Sequence, residues 1–87
     1  MNNTYIFPVI QEVKTGKKLK EMRMKNGIKV SSVCKSMGGI SAQAVYKWER
    51  GDGLPTIDNL LALSILYNAR MEDLLVYERT EISEYSL

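Results

Sequence analysis

Residues 30–51 read VSSVCKSMGGISAQAVYKWERG, and the fold turns on this stretch. Val30, Val33, Cys34 and Met37 fall at i, i+3, i+4 and i+7, the apolar stripe of a short amphipathic helix over 30–37. Gly38-Gly39 ends it. Ser41 then caps a helix over 41–50, in which Val45 and Trp48 face inward and Gly51 stops the chain. Ile40, just ahead of the cap, is placed to staple against Val45 and fix the entry angle. The outward side chains of this second helix near its start are then Ala42, Gln43, Tyr46 and Lys47.

Working outward, Thr15 to Asn26 reads as a helix with Thr15 as N-cap, Leu19 and Met22 on one face and Gly27 as the left-handed stop. Beyond the central pair, Gly53-Leu54-Pro55 is a loop and Thr56 caps a Leu-rich helix over 57–67. Asn68 takes a left-handed turn, and Met71 to Tyr77 forms a fifth helix with Leu74 and Leu75 inward. No run alternates convincingly, so the expected core is all-α. The head, Tyr5 to Ile10, is apolar and β-prone but interrupted by Pro8, so it is either an edge strand or an extended arm. The tail from Glu78 to Leu87 is acidic and is expected to be mobile unless Ile82 or Tyr85 docks. The expected division is an arm over 1–14, a helical domain over 15–77 and a tail over 78–87.

The chain has 87 residues, room for one small domain. It contains no His and a single cysteine, Cys34, which excludes zinc fingers, His-based nucleophilic sites, CxxC redox pairs and an internal disulfide. Cys34 itself reads as a small core residue. No Gly-rich loop leads into Lys-Ser/Thr, and Glu72 and Asp73 are neighbours on one short helix facing different ways, so no enzyme, cofactor or metal is expected. The longest apolar run, Leu60 to Tyr67, is far short of the roughly 20 residues that span a bilayer. With no signal peptide visible, a cytoplasmic protein without membrane contact is expected. Charge is polarised: residues 1–50 hold ten Lys/Arg against three acids (+7), and residues 51–87 hold two against seven (−5). The basic half either attracts a polyanion or is a solvated helical surface; the acidic half suits a basic protein partner.

A helix-turn-helix over 30–50 is a unit whose second helix can lie in a DNA major groove. The surrounding sequence resembles the lambda-repressor/Cro family, the XRE type. The matching stretches are Gly16 to Arg23 (GKKLKEMR), Ser41 to Gly51 (SAQAVYKWERG), Pro55 to Leu63 (PTIDNLLAL) and Met71 to Leu75 (MEDLL), in order and over about residues 15–76. The resemblance implies a five-helix lambda-repressor-like DNA-binding domain and an ion pair between Arg23 and Glu49 tying the first helix to the third. It also implies double-stranded DNA as partner, with base contacts from Ala42, Gln43, Tyr46 and Lys47 and phosphate contacts from Lys29, Ser31, Lys35, Ser41 and Arg50. Otherwise the outward face of the third helix is exposed surface of no consequence.

Several positions depart from the family pattern: Val30 where Gln often anchors a phosphate, Gly39 as an extra turn residue, Asp52 in a loop that is often basic, Arg70 where Ser or Thr usually caps, and Ala62 and Ile65 on the fourth helix where polar residues are usual. Homodimerisation is expected, with Ile65, Val76, Tyr77 and the arm Tyr5 to Ile10 as the self-association surface; alternatively the arm packs on its own domain. The function implied is a sequence-specific transcriptional regulator, of repressor type. The alternative is a protein-interaction module such as the antitoxin of a toxin–antitoxin pair, using the acidic C-terminal half.

Overall fold

The computed structural model describes residues 3–83. Within them the elements run β1 (Thr4–Ile10), α1 (Glu12–Lys25), α2 (Val30–Ser36), α3 (Ala42–Arg50), α4 (Ile57–Leu66), α5 (Met71–Leu74) and β2 (Tyr77–Ser83). The helices enclose one apolar core of Leu19, Val33, Val45, Trp48, Leu60, Leu63, Tyr67 and Leu74. Met22, Cys34, Met37 and Ile40 pack around it half-buried, as their helical spacing requires. No helix among the described residues is long and apolar enough to cross a membrane.

The central pair follows its sequence signals closely. The Ser41 hydroxyl accepts from the Ala44 N–H at 3.1 Å, and Gly51 closes α3 in the left-handed region at φ 79°. Asn68 turns the chain after α4 at φ 52°. Both turn glycines between α2 and α3, Gly38 and Gly39, also have positive φ, which explains why two are needed there.

The outer elements differ from the sequence reading in four places. Helix α1 starts at Glu12 rather than at Thr15, one turn earlier. Thr15 is therefore no cap; it is wholly buried, and its hydroxyl accepts from the Val76 N–H at 3.0 Å and donates to the Val76 carbonyl at 3.3 Å. Thr56 stands at the N-cap of α4, but its hydroxyl donates to the Asp58 carboxylate at 2.5 Å instead of meeting a backbone N–H. That bond holds the Asp58 carboxyl below its ordinary value.

The fourth difference is the largest. Helix α5 covers only Met71–Leu74, and the chain then leaves as β2, pairing antiparallel with β1 in the register Thr4↔Ser83 to Ile10↔Tyr77. The described residues are thus five helices plus a two-stranded sheet, so the all-α expectation holds for the helical core and not for the ribbon, and the head takes the edge-strand form of its two alternatives. Residues 78–83 of the tail are ordered into the ribbon; Tyr85 lies outside the described residues. Arg70 precedes α5 with half a capping box, its N–H donating to the Asp73 carboxylate at 3.3 Å, because a guanidinium cannot accept in return.

Candidate nucleic-acid interface

Helix α3 is two-sided. Val45 and Trp48 are 1% and 9% exposed and point into the core, whereas Ala42, Gln43, Tyr46, Lys47 and Arg50 face solvent. The four side chains expected to read bases therefore share one exposed surface at the start of the helix, with Tyr46 47% exposed. Lys29, Ser31 and Lys35, on α2 and at its entry, are exposed as well, and Ser41 is exposed at the α3 cap.

Three contacts fix where this surface stands. The first is a two-pronged fork: Arg23 Nε donates to Glu49 Oε2 at 2.7 Å and Nη2 to Oε1 at 3.0 Å. The remaining nitrogen, Nη1, donates to the Ile28 carbonyl at 3.1 Å, so one guanidinium pins α1, the turn into α2, and α3. Its side chain is 12% exposed and that of Glu49 is 6%. The Glu49 hydrogen bond holds the guanidinium above its ordinary value, against the opposing effect of burial. Nearby, burial pushes the Tyr67 phenol up to about 12, with the Glu49 charge adding to the shift and Arg23 opposing it. The phenol is thus a neutral wall behind the fork.

The second and third contacts are glycines where α1 meets α3. A Cβ on Gly16 would lie 2.5 Å from the Trp48 carbonyl oxygen and 2.6 Å from that of Glu49. A Cβ on Gly51 would lie 2.5 Å from Val13 Cα. Backbone meets backbone at both points, so the angle of α3 is set without flexible side chains between the helices.

Two cations of the surface have local neighbours that sequence reading did not find, and for one of them the neighbour is a charged partner. Arg50 Nε donates to Asp52 Oδ2 at 2.9 Å, an exposed ion pair that the proximity of the two residues could have flagged. Lys47 runs back along the loop, its Cε 3.2 Å from where a Gly53 Cβ would stand. Nothing in the sequence pattern signals that contact. Among the described residues, no three Cys, Asp or Glu side chains gather closely enough to hold a metal ion.

The geometry defines a helix-turn-helix protein with a rigidly held, exposed second helix. Residues 19–74 match the model of the family described as Helix-turn-helix, and the chain belongs to that family, of the XRE type. No curated protein matches it by sequence. Among solved structures it is similar to the DNA-binding domain of BldD, at 32% identity and a TM-score of 0.64 over 75% of this chain and 93% of that one. The S. venezulae BldD DNA-binding domain gives the same identity and TM-score, with 75% and 96% covered. The restriction-modification controller protein C.AhdI from Aeromonas hydrophila is 26% identical, with a TM-score of 0.65 over 71% of this chain and 92% of that one.

Proposed function

We propose that this protein is a sequence-specific DNA-binding transcriptional regulator that lays α3 in the major groove and occupies its operator as a homodimer. The carrying observation is the exposed start of α3, held at a fixed angle by the Arg23–Glu49 fork and by Gly16. The family match and the resemblance to a DNA-binding domain and a controller protein support the same reading over the antitoxin alternative. Gln43 has the amide geometry for adenine N6 and N7, Lys47 donates to guanine O6 or N7, and Ala42 offers a methyl to thymine. Tyr46 reaches a base edge or a phosphate. Lys29, Ser31, Lys35, Ser41 and Arg50 hold the phosphate backbone on either side. Four to six such contacts per subunit give a log K against log salt slope of about −4 to −5 per half-site.

Selection from a random duplex library at about 100–150 mM salt tests the reading, because counterion release swamps sequence preference at lower salt. An inverted repeat is expected. Gln43→Ala then relaxes one position per half-site and costs about 1–3 kcal/mol on the selected sequence, with little change on random DNA. Failure to enrich any sequence with folded protein overturns the proposal.

Asp52 gives a prediction of opposite sign. Its carboxylate occupies Arg50 and places a negative charge beside a side chain assigned to a phosphate. The pair is 62% and 58% exposed, so it contributes little to stability. Asp52→Asn is expected to leave the melting temperature unchanged and to tighten DNA binding about threefold, with the salt slope steeper by about 1. Filter binding or fluorescence anisotropy over a salt series reads both quantities.

A further inference from the structure

The β1–β2 ribbon lies outside residues 19–74 and carries an unusual amount of uncovered apolar surface. Tyr5, Ile6, Phe7 and Val9 are between 42% and 56% exposed. Alternation puts Tyr5, Phe7, Val9 and Ile82 on one face and Ile6, Pro8, Ile10 and Tyr77 on the other. A lone two-stranded ribbon is marginal in water, and further strands added in its plane stabilise it.

The two edges of the ribbon are unequal. The Gln11 N–H donates to the Val76 carbonyl at 2.8 Å, one step beyond the Ile10↔Tyr77 pair in the same register. That bond sets the phase of the ladder: Val9, Phe7 and Tyr5 exchange hydrogen bonds with Glu78, Thr80 and Ile82, while Ile10, Pro8 and Ile6 aim their peptide groups outward. Pro8 therefore leaves the pairing with β2 intact and removes a donor from the outer edge of β1. The outer edge of β2 has no proline. The peptide groups of Tyr77, Arg79 and Glu81 aim outward there, and no other described segment bonds to them through its backbone.

We propose that a second copy of this chain pairs with it along the outer edge of β2, antiparallel about a two-fold axis, to make a four-stranded sheet in the order β1-β2-β2-β1. Charge selects the register. Outward-facing residues can exchange bonds with the pairing centred on Glu78, Arg79, Thr80 or Glu81. Centring on Arg79 opposes two arginines, and centring on Glu78 or on Glu81 opposes two glutamates. Centring on Thr80 sets each Arg79 against Glu81 of the second copy, twice per dimer. Neither residue has a charged partner across its own ribbon, where Arg79 faces Pro8 and Glu81 faces Ile6. Pro8 then stands on both outer edges and stops the sheet at four strands, so pairing closes as a dimer and not as a fibre. A single strand edge buries less than the roughly 1,000 Å² of a stable interface, so the free dimer is weak and two DNA half-sites complete it.

This inference rests on the dimeric reading above, but its test uses no DNA, so either can fail alone. Sedimentation equilibrium of the full chain, from about 1 µM to about 1 mM, measures self-association. Arg79→Glu and Glu81→Arg are each expected to weaken it about tenfold, and the double reversal to restore it to within about twofold. In a Cys34→Ala background, Thr80→Cys is expected to give a disulfide-linked dimer on mild oxidation, because the two Thr80 positions face each other as a non-hydrogen-bonded pair. A chain that stays monomeric throughout overturns the proposal, as does a double reversal no better than the single ones. So does loss of the dimer on Ile65→Asp with the charge reversals inert, which assigns the interface to the exposed Ile57–Leu61–Ile65 stripe of α4.

Discussion

Arg23→Ala is expected to lower the unfolding free energy by about 3–5 kcal/mol, read from urea denaturation followed by the fluorescence of Trp48. The loss comes less from the attraction that disappears than from what is left behind. The Glu49 side chain stays 94% covered with no cation beside it, and the Ile28 carbonyl loses its donor. Replacing both partners, Arg23→Met with Glu49→Leu, removes the stranded charge and is expected to recover most of the loss. A cost for Arg23→Ala below about 1 kcal/mol would place the fork with exposed pairs such as Arg50–Asp52. Neither member of the fork is assigned to DNA, yet both set the angle of α3. The single variants are therefore expected to lose affinity for every sequence alike, unlike Gln43→Ala.

Gly16→Ala is the second large effect. Alanine is favoured over glycine inside a helix by about 1 kcal/mol, so propensity alone predicts stabilisation. Packing reverses the sign. The added methyl would meet two carbonyl oxygens at 2.5 and 2.6 Å, and both belong to the backbone of α3, which cannot rotate aside. Overpacking costs about 1–3 kcal/mol, and two backbone contacts this short put the cost at the top of that range; less the propensity gain, the net loss expected by thermal or urea unfolding is about 2 kcal/mol. Gly27→Ala separates this cause from backbone strain. Nothing lies within 4 Å of its added methyl, so only its φ of +65° resists substitution, at about 1–2 kcal/mol. A Gly16→Ala variant as stable as the parent would mean that α1 and α3 can slide apart freely.

The parts of the molecule legible in the sequence are those where one physical requirement dominates a short window. Ser41, the Val45–Trp48 spacing and Gly51 each answer a local need of α3, and all three stand where the pattern put them. The Arg23–Glu49 fork joins residues 26 apart, which no local pattern encodes; it was legible only through the resemblance to a family. Thr15 misled because a hydroxyl ahead of an apolar position is what a cap looks like, whereas Gln11 makes no side-chain cap and Val13 faces solvent, so the true first turn of α1 carries no signal. Strand β2 was missed for a related reason. Its residues Tyr77 to Ile82 are exposed or half-exposed on both faces, so they lack the alternation that reveals a strand with one buried side. Pro8 did mark β1 as an edge, and the register shows which edge.

The Thr15–Val76 contact has a consequence for how the molecule is assembled in time. The two strands it anchors are separated by the whole helical domain, so their pairing closes the longest loop in the chain. The helices can gather from nearer neighbours first and shorten that loop before the strands meet. The Thr15–Val76 and Gln11–Val76 bonds tie the ribbon down at the end nearest the helices, and Thr4 and Ser83 stand at the far end. Local opening from that far end leaves the α1–α3 clamp, and with it the set of α3, untouched.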